Sequence, residues 1–147
     1  MTSYLVKHDS QKQGKLEDVI SVAKKLGPVT FTSKKRVAEA AVNGNIYVVE
    51  IVAGRGKRNY RLGYKFKCAH ASRPAGGGKW LSQFNYKNSA DIGSPSGVYF
   101  SKPASIVSPE FLEWCREQCR GMDSMPWEYA NILDGIFGRA DLGAMPF

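Results

Sequence analysis

Asn59-Tyr60-Arg61-Leu62-Gly63-Tyr64-Lys65-Phe66-Lys67 is the stretch on which the fold turns. Tyr60, Leu62, Tyr64 and Phe66 alternate with Arg61, Gly63, Lys65 and Lys67. A period of two is the signature of a half-buried strand, with the aromatic and aliphatic set on one face and three cations on the other. Just before it, Ile46 to Val52 is rich in β-branched residues and apolar on both faces except at Glu50. That pattern predicts a central strand. The link Ala53-Gly54-Arg55-Gly56-Lys57-Arg58 is short enough to join the two strands as a hairpin. The expected hairpin has one wet, strongly basic side.

On either side of this ribbon the periodicity changes. Tyr4-Leu5-Val6 can start a short strand, and Leu16, Val19, Ile20, Ala23 and Leu26 then recur at helical spacing up to Gly27-Pro28. A helix over about 15–26 follows, with Lys24 and Lys25 at the end where the helix dipole favours positive charge. Val29-Thr30-Phe31-Thr32 reads as a strand, and Thr32 or Ser33 as the cap of a short helix that Asn43-Gly44 ends. Residues 71–97 read as loop, followed by a brief strand at Val98-Tyr99-Phe100. Ser108-Pro109-Glu110 opens a helix with a cap, a first-turn proline and an early acid. A last helix covers about Pro126 to Phe137. The fold class expected is α+β: one domain over residues 1–147, a mixed or antiparallel sheet of four to six strands with a central basic β-hairpin, and about four helices.

Length and composition agree. A chain of 147 residues with 43% hydrophobic content fits one ordinary domain with a real core. The N-terminus lacks the apolar run of a signal peptide, and no stretch approaches the roughly 18 apolar residues of a membrane span. Three cysteines are too few, and odd in number, for a secreted disulfide framework. A cytoplasmic protein that does not engage membranes is expected.

Charge carries the functional reading. The net charge is +8, and it is unevenly spread. Residues 1–50 hold eight Lys/Arg against five Asp/Glu; residues 51–90 hold nine and no acid; residues 91–147 hold four against eight. A forty-residue acid-free segment is unusual where charges are normally interspersed. The sequence therefore predicts a binding protein for nucleic acid or another polyanion. Arg55, Lys57, Arg58, Arg61, Lys65 and Lys67 would neutralise phosphates, with Lys34, Lys35, Arg36, Arg73 and Lys79 as further contacts. Trp80, Phe84 or Tyr86 beside the patch could stack on unpaired bases. An acidic protein partner would answer the same charge pattern. The opposing reading is that carboxylates of the last third fold back and cancel the ribbon.

Other motifs weigh less. Gly76-Gly77-Gly78-Lys79 is not a Walker loop, because Arg73 stands where the first glycine is needed and Trp80 follows the lysine. Cys68, His70, Cys115 and Cys119 supply four possible zinc ligands, but neither pair has finger spacing, so core thiols and no metal are the expectation. No cofactor is expected. Catalytic constellations are lacking, which favours a binding role over an enzyme.

One arrangement points the other way. His8-Asp9-Ser10 ends a first strand, Phe31-Thr32-Ser33 a second, Ile46 to Val52 forms a third, and Val98-Tyr99-Phe100 comes later. This order resembles that of ADP-ribosyltransferases, which hold nicotinamide dinucleotide with a histidine and hydroxyls and use a glutamate in a late strand. The resemblance implies a nucleotide pocket of His8, Ser10, Thr32 and Ser33. The glutamate is lacking: Ser94, Ser96 and Gly97 occupy the stretch before Val98.

Overall fold

Two strands of this chain run parallel, and joining them shapes the rest. In a computed structural model describing residues 2–54, 56–83 and 97–147, β1 (Ser3–Asp9) pairs in parallel with β3 (Asn45–Ala53). Parallel neighbours need a crossover. Here it is built from α1 (Ser10–Gln13), α2 (Leu16–Leu26), β2 (Val29–Thr32) and α3 (Lys35–Ala40). From β3 the chain turns back into β4 (Arg58–Lys67), the expected antiparallel hairpin. Gly54 N donates to Lys57 O at 2.7 Å and closes the tip. β5 (His70–Ser72), β6 (Trp80–Gln83) and β7 (Gly97–Ser105) follow, then α4 (Pro109–Gln118), β8 (Met122–Met125), α5 (Trp127–Phe137), a 3-10 turn (Ala140–Leu142) and β9 (Met145–Pro146).

The result is α+β: a six-stranded mixed sheet in the order β8-β1-β3-β4-β7-β9, and a second sheet, β2-β6-β5. The second sheet is a finding beyond the expectation, since residues 71–97 read as loop. Five helices are described, of which only α2, α4 and α5 exceed six residues. No helix among the described residues is long and apolar enough to cross a membrane.

The six-stranded sheet is covered on both faces. Leu5, Tyr47, Val49, Tyr60, Leu62 and Phe100 meet Phe111, Cys115, Leu133 and Phe137 of α4 and α5. On the opposite face, Val6, Ile46, Val48, Tyr64 and Phe66 meet Leu16 and Ile20 of α2. Each fully buried aliphatic or aromatic side chain contributes about 1.5–3 kcal/mol relative to exposure. Tyr64 also donates its hydroxyl to Val29 O at 2.8 Å, which fastens the small sheet to the large one. Burial raises its phenol pKa well above the ordinary tyrosine range.

This two-sided packing corrects the expectation of one apolar and one basic face on β4. Val48 and Val49 are opposite Tyr64 and Leu62, so Gly63 is one extra residue, a bulge. An extra residue reverses which way later side chains point. Tyr60 and Leu62 therefore face α4 and α5, whereas Tyr64 and Phe66 face α2. The cations divide in the same way: Arg61 lies opposite the buried Glu50, and Lys65 opposite Tyr47. β7 is irregular at the same level, its pairing stepping from Ala104 at Leu62 to Tyr99 at Tyr64. Pro103 sits in that unpaired stretch, where it displaces no ladder hydrogen bond.

Candidate anion-binding cleft

The register of the strands brings several segments to one end of the large sheet. Asp9 is level with Ile51, Ala53 with Arg58, and Val6 with Met122. The C-terminal end of β1, the hairpin tip and the turn before β8 thus share an end. At about 4.8 Å per strand, β1 and β4 stand roughly 10 Å apart there.

At that end lies a cleft of about 190 Å³ lined by Lys7, Lys12, Lys34, Lys79 and Arg120, together with Val6, Gln13, Phe31, Thr32, Ser33 and Gly121. Its walls come from β1, α1, β2 and the turns before α3, β6 and β8. The turn before β8 is held by Lys7 N, which donates to Gly121 O at 2.8 Å. The β1–α1 corner is held on three sides. Asp9 caps α1 by accepting from Gln11 N, Ser10 Oγ donates to Ile51 O at 3.2 Å, and His8 Nε2 bonds Gly14 O at 2.7 Å. A carbonyl only accepts, so the His8 proton is on Nε2. These bonds fix the position of Lys12.

Lys34 donates to Asp123 Oδ1 at 3.2 Å and to Met122 O at 3.2 Å, while Asp123 also accepts from Arg120 N. Thr32 Oγ1 accepts from Lys34 N at 3.2 Å. Among the described residues, no carboxylate forms an ion pair with Lys7, Lys12, Lys79 or Arg120. Lys12, Lys34, Lys79 and Arg120 around one concavity, against a single bonded carboxylate among the described residues, make a positive local field, which concavity focuses. Lys7, next to Val6 in β1, turns its side chain to the opposite face of the sheet, toward Cys115 and Cys119. Phe31, 47% exposed, adds an apolar ring to the lining.

The residues anticipated from sequence are dispersed about this centre. Lys34 and Lys79 line the cleft. Lys35 is exposed, 3.8 Å from Glu39, and its ammonium stands 5.7 Å from the centre of the Trp80 ring. Arg36 and Arg73 are exposed. On the hairpin, Lys57, Arg58 and Lys67 are exposed and Arg61 is half-buried; Arg55, Phe84 and Tyr86 lie outside the described residues. Lys65 is engaged within the fold. Its ammonium is 2.7 Å from Asp134 Oδ1 and 5.5 and 5.6 Å from the ring centres of Tyr47 and Phe137, and Tyr47 donates to the same carboxylate. Lys65 thus helps seat α5 on the sheet. Of the nucleotide-pocket residues, Thr32 and Ser33 line the cleft, whereas His8 and Ser10 are engaged in holding the β1–α1 corner. Sequence reading missed Lys7, Lys12, Gln13, Phe31 and Arg120 as parts of one site.

The possible zinc ligands Cys68, His70, Cys115 and Cys119 do not come together. Cys68 packs on the α2 face of the sheet and Cys115 and Cys119 on the α4 face, so the sheet separates them. No group of metal-ligating side chains occurs among the described residues. Burial pushes the Cys115 thiol up to about 12 and the Cys119 thiol to about 11, with Lys7 opposing both shifts. A thiolate is the reactive form. The folded protein at pH 8 is therefore expected to leave Cys115 and Cys119 unmodified by a thiol-specific disulfide reagent that labels them fully in denaturant. Their contribution to stability is complete below the unfolded thiol value of roughly 8.5 and is lost as pH climbs toward about 11 for Cys119 and about 12 for Cys115. Fast labelling of the folded chain at pH 8 would contradict that burial.

The fold and cleft together define a small α+β protein with a cationic concavity at one end of its main sheet. No protein-family model, curated protein or solved structure matches the chain.

Proposed function

We propose that the protein binds nucleic acid, with the cleft as the centre of the contact and the hairpin tip as its outer margin. The observation that supports this most is the gathering of Lys12, Lys34, Lys79 and Arg120 around one cleft, with Asp123 the carboxylate bonded there among the described residues. Lysine and arginine at the rim release counterions from phosphates, and this term is independent of base sequence. Exposed Phe31 and half-exposed Trp80 suit unpaired bases, since base–aromatic stacking contributes about 1–3 kcal/mol per base. A single strand fits this combination better than a rigid duplex.

The carboxylates of the last third reach Lys65 and Lys34 but form no ion pair with Lys57, Arg58, Arg61 or Lys67 among the described residues. Among the described residues compensation is partial, and Lys57 and Arg58 beside the hairpin tip have no ion pair. Changing Lys57 and Arg58 to Ala should weaken binding equally for every sequence and lower the salt slope by about 0.7–0.9 per lost phosphate contact. Fluorescence anisotropy with single- and double-stranded DNA and RNA at two salt concentrations measures this. Binding that ignores salt, or no binding to any of the four polymers, would remove the proposal.

A further inference from the structure

Resting on that reading, we infer that the cleft takes a terminal phosphate, with Phe31 carrying the attached base. Its size sets the first limit. A concavity of about 190 Å³ is smaller than the roughly 300–1,000 Å³ of pockets that enclose whole small molecules. It has room for a phosphate group and the first atoms of the sugar, and the base must lie outside. Phe31 offers a half-exposed ring at the lining for that base.

Charge sets the second limit. An internal phosphodiester brings one negative charge and enters and leaves by two exits. A terminal phosphomonoester carries about −1.5 to −2 near neutrality, and a nucleotide polyphosphate more. Lys12 and Lys79 have no described carboxylate partner, and Arg120, which donates Nη1 to Arg116 O at 3.3 Å, has none either, so several cations line a volume that admits one phosphate group. The Thr32 and Ser33 hydroxyls and the Gln13 amide add neutral donors. Gln13 uses its Oε1 to accept from Asp9 N, which leaves its amide hydrogens to donate. Lys34 is held by Asp123, and an entering phosphate competes with that carboxylate for the ammonium.

The phosphate can belong to a strand end or to a free nucleotide, and titration calorimetry on the full chain separates the two. The probes are a short single-stranded oligonucleotide, as DNA and as RNA, with a 5′-phosphate, a 3′-phosphate or hydroxyl ends, and adenosine triphosphate. One phosphorylated form is expected to bind about tenfold tighter than the hydroxyl-ended form. Lys12→Ala with Lys79→Ala should abolish that gain, and Asp123→Asn should enlarge it, with melting temperatures confirming folded variants. Adenosine triphosphate competing for the cleft, with loss of competition in the double variant, identifies the free-nucleotide source. Equal affinity for all end groups together with no binding of the triphosphate overturns the inference while leaving polymer binding intact. Triphosphate binding without any oligonucleotide binding does the reverse: the terminal-phosphate site stands and the polymer reading falls.

Discussion

Replacing Lys12 and Lys79 together by Glu lowers affinity for a single-stranded oligonucleotide by about a hundredfold at moderate salt. Both side chains are exposed, and neither has an ion pair among the described residues, so no described ion pair is lost. Each reversal changes the local charge by two. Near a protein surface a unit charge several ångströms from a phosphate is felt at about 0.5–1 kcal/mol after screening, so four units give about 2–4 kcal/mol. Thermal stability should stay within about 0.5 kcal/mol of the parent, as is usual for surface changes. The same pair of reversals placed on Lys24 and Lys102, exposed residues outside the cleft lining, is the control. Similar losses from both pairs would mean that the whole-molecule charge governs binding. A loss of less than about threefold from the cleft pair would place the contact elsewhere.

The cleft was not legible because it has no local pattern. The acid-free run of residues 51–90 drew attention to the hairpin, yet only Lys79 of the cleft cations comes from that run. Lys12, Lys34 and Arg120 come from segments in which acids and bases are mixed, and contacts distant in sequence bring them together. The bond from Lys7 N to Gly121 O holds the turn of Arg120 beside β1, and Lys34 bonds Asp123 and Met122 of β8. Lys65 shows the opposite effect. It reads as a free strand cation, but α5 returns Asp134 to it from far along the chain.

Fold elements were legible where one period ruled. Leu16, Val19, Ile20 and Ala23 share a helical face, and α2 spans Leu16–Leu26 with Glu17 and Asp18 in its first turn and Lys24 and Lys25 in its last. Ser108 caps α4 by accepting from Phe111 N at 3.4 Å, as its Pro and Glu neighbours suggested. The short strands His70–Ser72 and Trp80–Gln83 carry no comparable signal, being three and four residues long and defined by their pairing with each other and with β2. β4 was found at nearly its full length, but its faces were misread. Gly63 filled a polar slot in an apparent alternation, and a bulge cannot be seen from the strand that contains it.

That glycine is also where a single methyl group does most harm. A Cβ at Gly63 would run into Leu16 Cδ2 and come within 3.2 Å of Leu16 Cγ and 3.5 Å of Ile20 Cδ1. Leu16 and Ile20 are both fully buried, so neither side chain has free volume to swing into. Leu16 is further fixed from behind, because its N–H donates to the buried Glu50 carboxylate at 2.7 Å. Overpacking of this kind costs about 1–3 kcal/mol, so Gly63→Ala should lower the melting temperature by about 3–10 °C. Gly63→Val adds two more carbons at the same place and should approach loss of folding. Gly135, inside α5 with nothing within 4 Å of its Cβ position, makes the matched comparison. There Ala removes unfolded-chain entropy without strain and should stabilise by about 0.5–1 kcal/mol. Opposite signs from the same Gly→Ala change are the expected result in urea unfolding. Equal tolerance at both sites would mean that α2 does not press on the bulge, and the face reversal that sends Arg61 and Lys65 to opposite sides of the sheet would lose its structural basis.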